Sequence, residues 1–556
     1  MDADTKTISI LTQRLAQLKK QRSSWVDTWT DLRDNLLPYH GRPLGSGGAS
    51  TYNDGQRHDT SIYDGLPLRA MGIAGAGLMS GLTSPSRPWF ALTVEDPDLA
   101  DDYEVREWLS AVQARMMATY ARSNIYNCLH HLYLELIAFG GGAVAVYEEF
   151  DKVLRGRAYT VGEYWLGLGA DGLVDTIYRQ YTMTTRQLMT VFGEDKCSDV
   201  VRQAMRDNQP DTPISVLNAI EPNDDRIDLG IEFEWRSVYW EADRTDGILG
   251  TGGFEMCPVL APRWHVSSAD TYGHGPGHDV LGDAKCLQKI SEQVLVALDK
   301  TIEPPMVAPG TMKAAMLNTI PGGITYSDDL KDALRPLYQV NFNLADAQAK
   351  IVDLRSAVRQ GLYNDLFLML IDVDAGKMTA TEVAARQQEK LIMLGPVLER
   401  LHNELLEPLI DRTFSILLRA GLLPEAPDVI QGTDLKVDFI SPLALAQRAA
   451  GLQSISTLVQ FAGQVAQAKP DVLDKINFDE AIDVMAESLG TPPRLLNDDR
   501  QVQALRQART QQEQAMQMGQ AAQVAAETAK DASGVDLESD NIVSRMVGQG
   551  GAAQNG

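Results

Sequence analysis

Two histidines, His274 and His278, lie four residues apart in the segment GHGPGH, a spacing that metal ligands often show on a helix. Side chains four residues apart share a face only when the backbone between them is helical. Gly275, Pro276 and Gly277 oppose such a helix, because proline removes a backbone donor and glycine is costly to order. We therefore expect no metal site here, although a divalent metal bound at this pair would favour an enzymatic function.

The sequence also lacks the loop with which an ATPase binds nucleotide phosphates. Its only Gly-Lys pair, Gly376-Lys377, is followed by Met378 and has no glycine five residues before it. Asp372 and Asp374 lack the glutamate and the spacing of a calcium-binding loop, and no GxSxG turn presents a nucleophilic serine. These patterns predict neither a catalytic residue nor a cofactor.

Composition argues against a surface that grips nucleic acid. The 556 residues carry a formal net charge of −25, whereas tight binding of phosphates needs many lysines and arginines. The same acidic balance is also consistent with a large protein that only needs to stay in solution. No apolar run approaches the roughly 20 residues of a membrane-spanning helix, so no membrane partner is expected.

The segment from Gly376 to Arg412 is the strongest helix signal in the sequence. Thr379 and Glu382 form a capping box, in which each side chain accepts a hydrogen bond from an amide of the first turn. Pro396 and Pro408 each remove a backbone donor and are predicted to act as hinges that bend the helix at fixed points. The leucines that keep the helical period are Leu394, Leu398, Leu401, Leu405 and Leu409. A bent rod of this length indicates a mechanical part rather than an active site.

Two further long helices are predicted on either side of a proline-rich insertion. Apolar positions repeat every three or four residues over 279–302, and about 24 residues at 1.5 Å each would span roughly 36 Å. Pro304 and Pro305 end this helix at the boundary of an insertion over 303–344. A second amphipathic helix follows over 345–371.

The first half of the chain predicts a mixed body of helices and sheet. Residues 7–37 favour an amphipathic helix that is broken near Ser23, and residues 101–140 are mainly helical. Antiparallel strands are expected over 158–181 and 231–264. Smaller elements are a strand in GLTSPSRPWFALTV, a helix over 185–192 and a strand over 435–440.

Several of these segments resemble one known family. The phrases GLTSPSRPWFALTV, EYWLGLGADGLVDTIYRQYTMT and APRWHVSSADTYGHGPG, together with the long segment that starts GKMTATEV, are similar to portal proteins. These are the head-to-tail connectors of short-tailed, podovirus-type tailed phages. The resemblance extends from about Leu11 to Arg509 and is least specific in the insertion and in the C-terminal tail.

The resemblance implies an α+β, predominantly helical portal fold, assembled into a ring. On this interpretation, the chain divides into an N-terminal wing (1–278), a stem helix (279–302), a clip (303–344), a second stem helix (345–371), a channel loop (372–379), a long bent helix with the remainder of the wing (380–440), a crown (441–500) and a Gln/Ala-rich C-terminal helix with a flexible tail (501–556).

The resemblance also implies function and partners. A ring of twelve copies is expected at one capsid vertex of the virion, after synthesis in the host bacterial cytoplasm, where the thiols stay reduced. Its channel would pass double-stranded genomic DNA without sequence specificity during packaging and ejection. The expected protein partners are the terminase packaging motor, the tail adaptor protein, and the major capsid, scaffold and internal core proteins.

Channel-lining or DNA-proximal residues follow from the same resemblance. The candidates are Lys285, Lys289, Asp372, Asp374, Lys377 and Met378. For the first two an alternative stays open, in which they pair with Asp283, Glu292 or a neighbouring subunit. For Lys377 the alternative is an ordinary solvated loop. Two other functions also stay open: another virion assembly protein, such as a scaffold or tail component, and a soluble enzyme with an unrecognised site.

Overall fold

A computed structural model describes residues 3–39, 60–96, 99, 102–224, 227, 229–268, 270–302, 306–307, 335–336, 343–371, 394–430 and 435–440, with parts of 458–482 and 502–516. The chain divides into two compact units, Met1–Leu489 and Gly490–Gly556. In the second unit, residues 502–512 are helical. The first unit contains the sheets and the helices that follow.

The structure combines helices with antiparallel sheets. Its principal α-helices are α1 (Ala3–Arg22), α2 (Val26–Leu36), α3 (Leu66–Leu82), α4 (Tyr103–Arg122), α5 (Ile125–Phe139), α6 (Thr185–Phe192), α7 (Asp199–Arg206), α8 (Pro276–Ile302), α9 (Leu344–Gly361), α10 (Asn364–Ile371) and α11 (Glu407–Arg419). Its strands are β1 (Phe90–Val94), β2 (Ala143–Glu149), β3 (Val153–Tyr159), β4 (Tyr164–Leu168), β5 (Val174–Thr184), β6 (Pro213–Pro222), β7 (Trp235–Glu241), β8 (Ile248–Phe254), β9 (Val259–Leu260), β10 (Met306–Val307), β11 (Arg335–Pro336) and β12 (Leu435–Phe439).

The larger sheet has the order β4-β5-β6-β7-β8, and all its neighbours are antiparallel. Helix α1 packs across it through an apolar face that includes Leu11 and Leu15. Arg22 at the end of α1 lies over the Trp165 ring, at 4.4 Å, and donates to the Tyr164 carbonyl at 2.7 Å. The N-terminal helix is thereby fixed to the sheet by both apolar and polar contacts.

A second, larger core joins α2 to α5, α8 to α11 and the sheet β3-β2-β9. Gly77 on α3 allows one close approach, since a Cβ there would lie 2.3 Å from the Phe367 ring on α10. Helix α5 ends at Gly140, whose φ of +76° is accessible to glycine at little cost. The chain then turns directly into β2 and brings the sheet against the helices.

The predicted second stem helix over 345–371 is two helices, so that expectation is wrong in detail. Helix α9 ends at Gly361, and Tyr363 adopts a left-handed φ of +56° before α10 begins. Asn364 is buried, and its side-chain amide is satisfied in the orientation in which the nitrogen donates to the carbonyls of Ala70 and Leu362. This tertiary contact with α3 overrides a helical pattern that runs through the break without interruption.

Other expectations differ from the structure in smaller ways. The predicted β regions omit β6, which lies at the centre of the larger sheet. Helix α8 begins at Pro276, three residues earlier than predicted, because proline is tolerated in the first turn of a helix. The break near Ser23 is present as a 3-10 turn, Ser23–Trp25. The strand expected over 435–440 is β12, and it pairs antiparallel with β1.

Several predictions fall outside the described residues. They include the channel loop with Asp372, Asp374, Lys377 and Met378, the clip boundary at Pro304 and Pro305, and the capping box of Thr379 and Glu382. Most of the clip and of the crown also lies there, as do the ends of the C-terminal segment.

Candidate functional site

The structure places Lys285 and Lys289 at the base of a two-helix hairpin. Helices α8 and α9 run antiparallel, since Val280 near the start of α8 lies against Gly361 at the end of α9. The half of α8 that precedes Lys289 has a buried face that packs against α2 and α5, whereas the half that follows it is largely exposed. We call α8 and α9 the stem hairpin.

Both predicted lysines make ion pairs within the chain. Lys285 donates to Asp31 on α2, with 2.5 Å between Nζ and Oδ2. Lys289 donates to Glu292, three residues along α8, at 2.8 Å. This contact raises the pKa of the Lys289 ammonium and lowers the pKa of the Glu292 carboxyl. Both lysines therefore have local partners within the chain.

Gln288, between the two lysines, carries a contact that sequence reasoning missed. Its buried side chain accepts from the backbone N–H groups of Tyr63 and Asp64, at 2.7 and 2.8 Å, and donates to the Asp64 carbonyl at 2.8 Å. The Asp64 carboxylate accepts from Leu66 at the start of α3 and from Arg355 on α9, at 2.8 and 2.9 Å. One glutamine and one aspartate thus tie both stem helices to the loop before α3.

The outer half of the stem hairpin exposes apolar side chains. Leu295, Leu298 and Ile302 on α8 retain 50%, 46% and 69% of their accessible surface, and Val352 on α9 retains 61%. A helix pair that exposes several large apolar residues in one region marks a surface for association.

Pro408, a predicted hinge, follows a π-helical turn formed by His402–Leu406. Glu407 donates its N–H to the carbonyl of His402, five residues back, and Pro408 has no N–H to give to Asn403 or Glu404. In a regular α-helix the Pro408 ring would clash with the carbonyl group four residues earlier. The wider π-helical turn relieves this clash. Pro396 lies within the described helical residues 394–401.

The π-turn carries a buried ion pair between Glu404 and Arg263, which follows β9. The Glu404 carboxylate accepts from Arg263 Nη2 at 2.8 Å, Nε at 3.3 Å and the backbone N–H at 2.9 Å. His402 stacks on Phe439 of β12, with ring centroids 4.0 Å apart. The π-turn is therefore held both by the segment after β9 and by β12.

The histidine pair tested for metal binding packs against aromatic rings. His274 lies 4.7 Å from Trp25 and 5.0 Å from His278, between ring centroids. His278 Nδ1 accepts from the Gly275 N–H at 3.1 Å, which places its proton on Nε2. Burial, with His274 nearby, lowers the pKa of His278 to about 4. Within the described part of the chain, no three His, Cys, Asp or Glu side chains are placed to hold a metal ion.

Comparison with known proteins identifies the family. Residues 9–496 match the family described as bacteriophage head to tail connecting protein. The portal protein of Salmonella phage epsilon15 is 40% identical over 559 residues, which cover 99% of this chain and 100% of that protein. The chain belongs to the bacteriophage head-to-tail connecting protein family.

A second relative agrees with this assignment. The probable portal protein of Bordetella phage BPP-1 is 39% identical over 541 residues, which cover 96% of this chain and 97% of that protein. A solved structure titled as the neck of an empty GTA particle, computed with C6 symmetry, covers 74% of this chain and 93% of its own. Its 13% identity and TM-score of 0.34 are too low to support a fold assignment.

Membership in the connector family confirms the resemblance in the sequence and decides between the functions left open. The chain is a phage portal protein at the head-tail connection, located at the portal vertex of the capsid in the virion. Proteins of this family are structural, so its role is not enzymatic. Among the described residues, no helix is both long enough and apolar enough to cross a membrane.

Proposed function

We propose that about twelve copies of this connector form a closed ring, in which the stem hairpins surround a central channel for double-stranded DNA. The observation that carries the proposal is the exposed apolar surface of the stem hairpin, at Leu295, Leu298, Ile302 and Val352. Full burial of each such side chain contributes about 1.5–3 kcal/mol, so packing between neighbouring copies would be favourable. A head-to-tail arrangement that closes on itself gives a ring of identical contacts.

The division into wing, stem, clip, channel loop and crown belongs to the same proposal. The described helices α8 and α9 would be the stem, and α10 would lead from the stem into the channel loop that starts at residue 372. The acidic balance of −25 per chain supports a channel that repels DNA phosphates and lets the genome slide. Lys285, Lys289 and Lys377 would provide transient positive contacts, and the terminase and the tail adaptor would bind the clip.

Imaging of the purified protein tests the ring directly. Negative-stain electron microscopy with a mass measurement should show rings of about a dozen copies around a central hole. The double variant Leu295→Asp/Leu298→Asp should reduce rings to smaller species, whereas Gln293→Asp, at an exposed polar position of the same helix, should not. A compact monomer under all salt conditions, with the wild-type chain folded, would overturn the proposal.

A further inference from the structure

A cavity of about 300 Å³ lies where the larger sheet meets the π-turn. It is lined by the start of β5, the start of β7, the segment from the end of β8 to β9, and the π-turn with Pro408. The lining residues that matter here are Leu173, Trp235, Met256, Leu260, Glu234 and Glu404. Most of the lining residues are apolar, and Glu234, Glu255, Asn403 and Glu404 supply the polar side chains.

The polar groups that line the cavity are mainly hydrogen-bond acceptors. Pro408 has no N–H to give to the carbonyl groups of Asn403 and Glu404 on the π-turn. Glu255 and Glu404 also line the cavity and are already paired, with Arg419 and Arg263 respectively. Glu234 is exposed at the cavity and forms no ion pair with any residue in the described part of the chain. A mostly apolar cavity that also presents the Glu234 carboxylate fits a cation on an aliphatic stem. Arginine and lysine side chains have this chemistry.

The opposite end of the same sheet offers such side chains. Strands β5 and β7 begin at the cavity, whereas the far end of β5 continues into α6, against which α7 packs. Arg186 on α6 and Arg206 on α7 are exposed, and neither forms an ion pair within the described residues. The first and last of the 11 residues of β5 are ten steps of about 3.3 Å apart, so β5 separates the two features by roughly 33 Å. A head-to-tail ring contact joins two different surfaces of the same chain. Exposed arginines at one end of β5 and a cavity at its other end provide two such surfaces.

We propose that the cavity receives an arginine side chain, Arg186 or Arg206, from the adjacent copy of this chain in the ring. This inference rests on the ring of the proposed function and names a contact within it. The aliphatic stem would lie against Met256 and Leu260, and the guanidinium would reach Glu234 and the face of Trp235.

Charge reversal tests the contact. Glu234→Arg should lower the NaCl concentration at which rings dissociate at least twofold, measured by mass photometry. Glu232→Arg, two residues away on the same exposed segment but outside the cavity lining, is the control and should behave like wild type. Combining Glu234→Arg with charge reversal of the arginine that fills the cavity should restore the wild-type dissociation curve, because each interface then carries the reversed pair. Rescue by Arg186→Glu alone would identify Arg186 as that residue, and rescue by Arg206→Glu alone would identify Arg206.

Two outcomes overturn the inference and leave the ring itself intact. They are Glu234→Arg rings that match the Glu232→Arg control, and the absence of rescue by both Arg186→Glu and Arg206→Glu. If Glu234→Arg alters the circular dichroism of the chain, Glu234→Gln replaces it in the same comparison. Failure of the wild-type chain to form rings would instead count against the proposed function.

Discussion

Arg263 and Glu404 form a buried ion pair that joins the segment after β9 to a helix 141 residues later in the chain. Three hydrogen bonds, including one from the Arg263 backbone, hold both carboxylate oxygens of Glu404. Arg263 also donates to the Gly172 carbonyl at 2.8 Å, so it links the start of the larger sheet to the same point. The position of the π-turn is thus defined by charge as well as by packing.

Removal of one partner should be costly. Glu404→Ala leaves the buried Arg263 cation without its partner, and we expect a loss of about 3–5 kcal/mol in the free energy of unfolding. The double variant Arg263→Met/Glu404→Leu removes both charges and should lose less. Arg419→Ala, which breaks the exposed pairs with Glu148 and Glu255, is the control and should change stability little. Urea denaturation measures all three, and an equal loss in the single and double variants would contradict the account.

Gln288 should matter more than its exposed neighbours on α8. Gln288→Leu leaves the N–H groups of Tyr63 and Asp64 without their acceptor and should cost about 1–3 kcal/mol. Gln293→Leu, at an exposed position on the same helix, should have a small effect. Thermal unfolding distinguishes them, and similar melting temperatures for the two variants would show that the contact with the loop before α3 is dispensable.

Tyr363 offers a test of the break between α9 and α10. Tyr363 has a positive φ, which glycine adopts without strain, whereas for alanine the same conformation costs about 1–2 kcal/mol. Tyr363→Gly should therefore be more stable than Tyr363→Ala. At Ser356, an exposed helical position of α9, the order should reverse, with alanine favoured by about 1 kcal/mol. Both Tyr363 variants lack the aromatic ring, so its loss does not affect the comparison of glycine with alanine. If alanine is favoured at both positions, α9 and α10 are continuous in solution.

Lys377 tests the channel-loop interpretation. If the loop touches passing phosphates, Lys377→Glu should leave ring assembly intact but change the length of genome that is packaged or retained. Lys377→Arg keeps the charge and serves as the control. Gel analysis of DNA from purified particles gives the length, and an unchanged length and packaging yield for Lys377→Glu would argue for an ordinary solvated loop.

The sequence predicted those helix ends and breaks that are set by neighbouring residues. The helix over 185–192 was predicted with its observed ends, and in the structure a capping box of Thr184 and Gln187 marks its start and Gly193 follows its last residue. The break near Ser23 and the end of the predicted helical region at Gly140 are also present in the structure, as a 3-10 turn and as a glycine with a left-handed φ. Family membership also followed from short phrases that resemble portal proteins, and the matched residues 9–496 contain those phrases.

Features that depend on distant residues were not predictable. The left-handed Tyr363 is stabilised by contacts of Asn364 with α3, almost 300 residues earlier. Strand β6 lies between the two predicted strand regions and was not predicted. Its pairing with β5 and β7 on either side is a long-range contact. The ion partner of Lys285 is Asp31 on α2, whereas the sequence pointed to neighbours on the same helix. Only the tertiary fold brings these groups together.

The half-buried His278 predicts a loss of stability in acid. Its pKa is about 4 in the folded chain and 6.5 when unfolded, so the unfolded state binds the proton more readily. Stability is therefore complete above pH 6.5 and falls as the pH decreases toward 4, by about 3 kcal/mol for this group. His278→Asn keeps an acceptor for the Gly275 N–H but cannot become charged, so its unfolding free energy should depend less on pH than that of wild type. His265→Asn, at an exposed histidine, is the control.

Other groups also titrate over this pH range, and the difference between variant and wild type cancels their contribution to the unfolding free energy. Burial raises the pKa of the Glu135 carboxyl well above its ordinary value, so Glu135 contributes stability at low pH that is lost as the pH rises. That contribution opposes the effect of His278 but is the same in both variants and in wild type. Denaturant unfolding at several values between pH 4 and pH 7 should therefore give a difference that grows toward acid only for His278→Asn. Parallel pH curves for this variant and wild type would mean that His278 takes up its proton as easily in the folded chain as in the unfolded one.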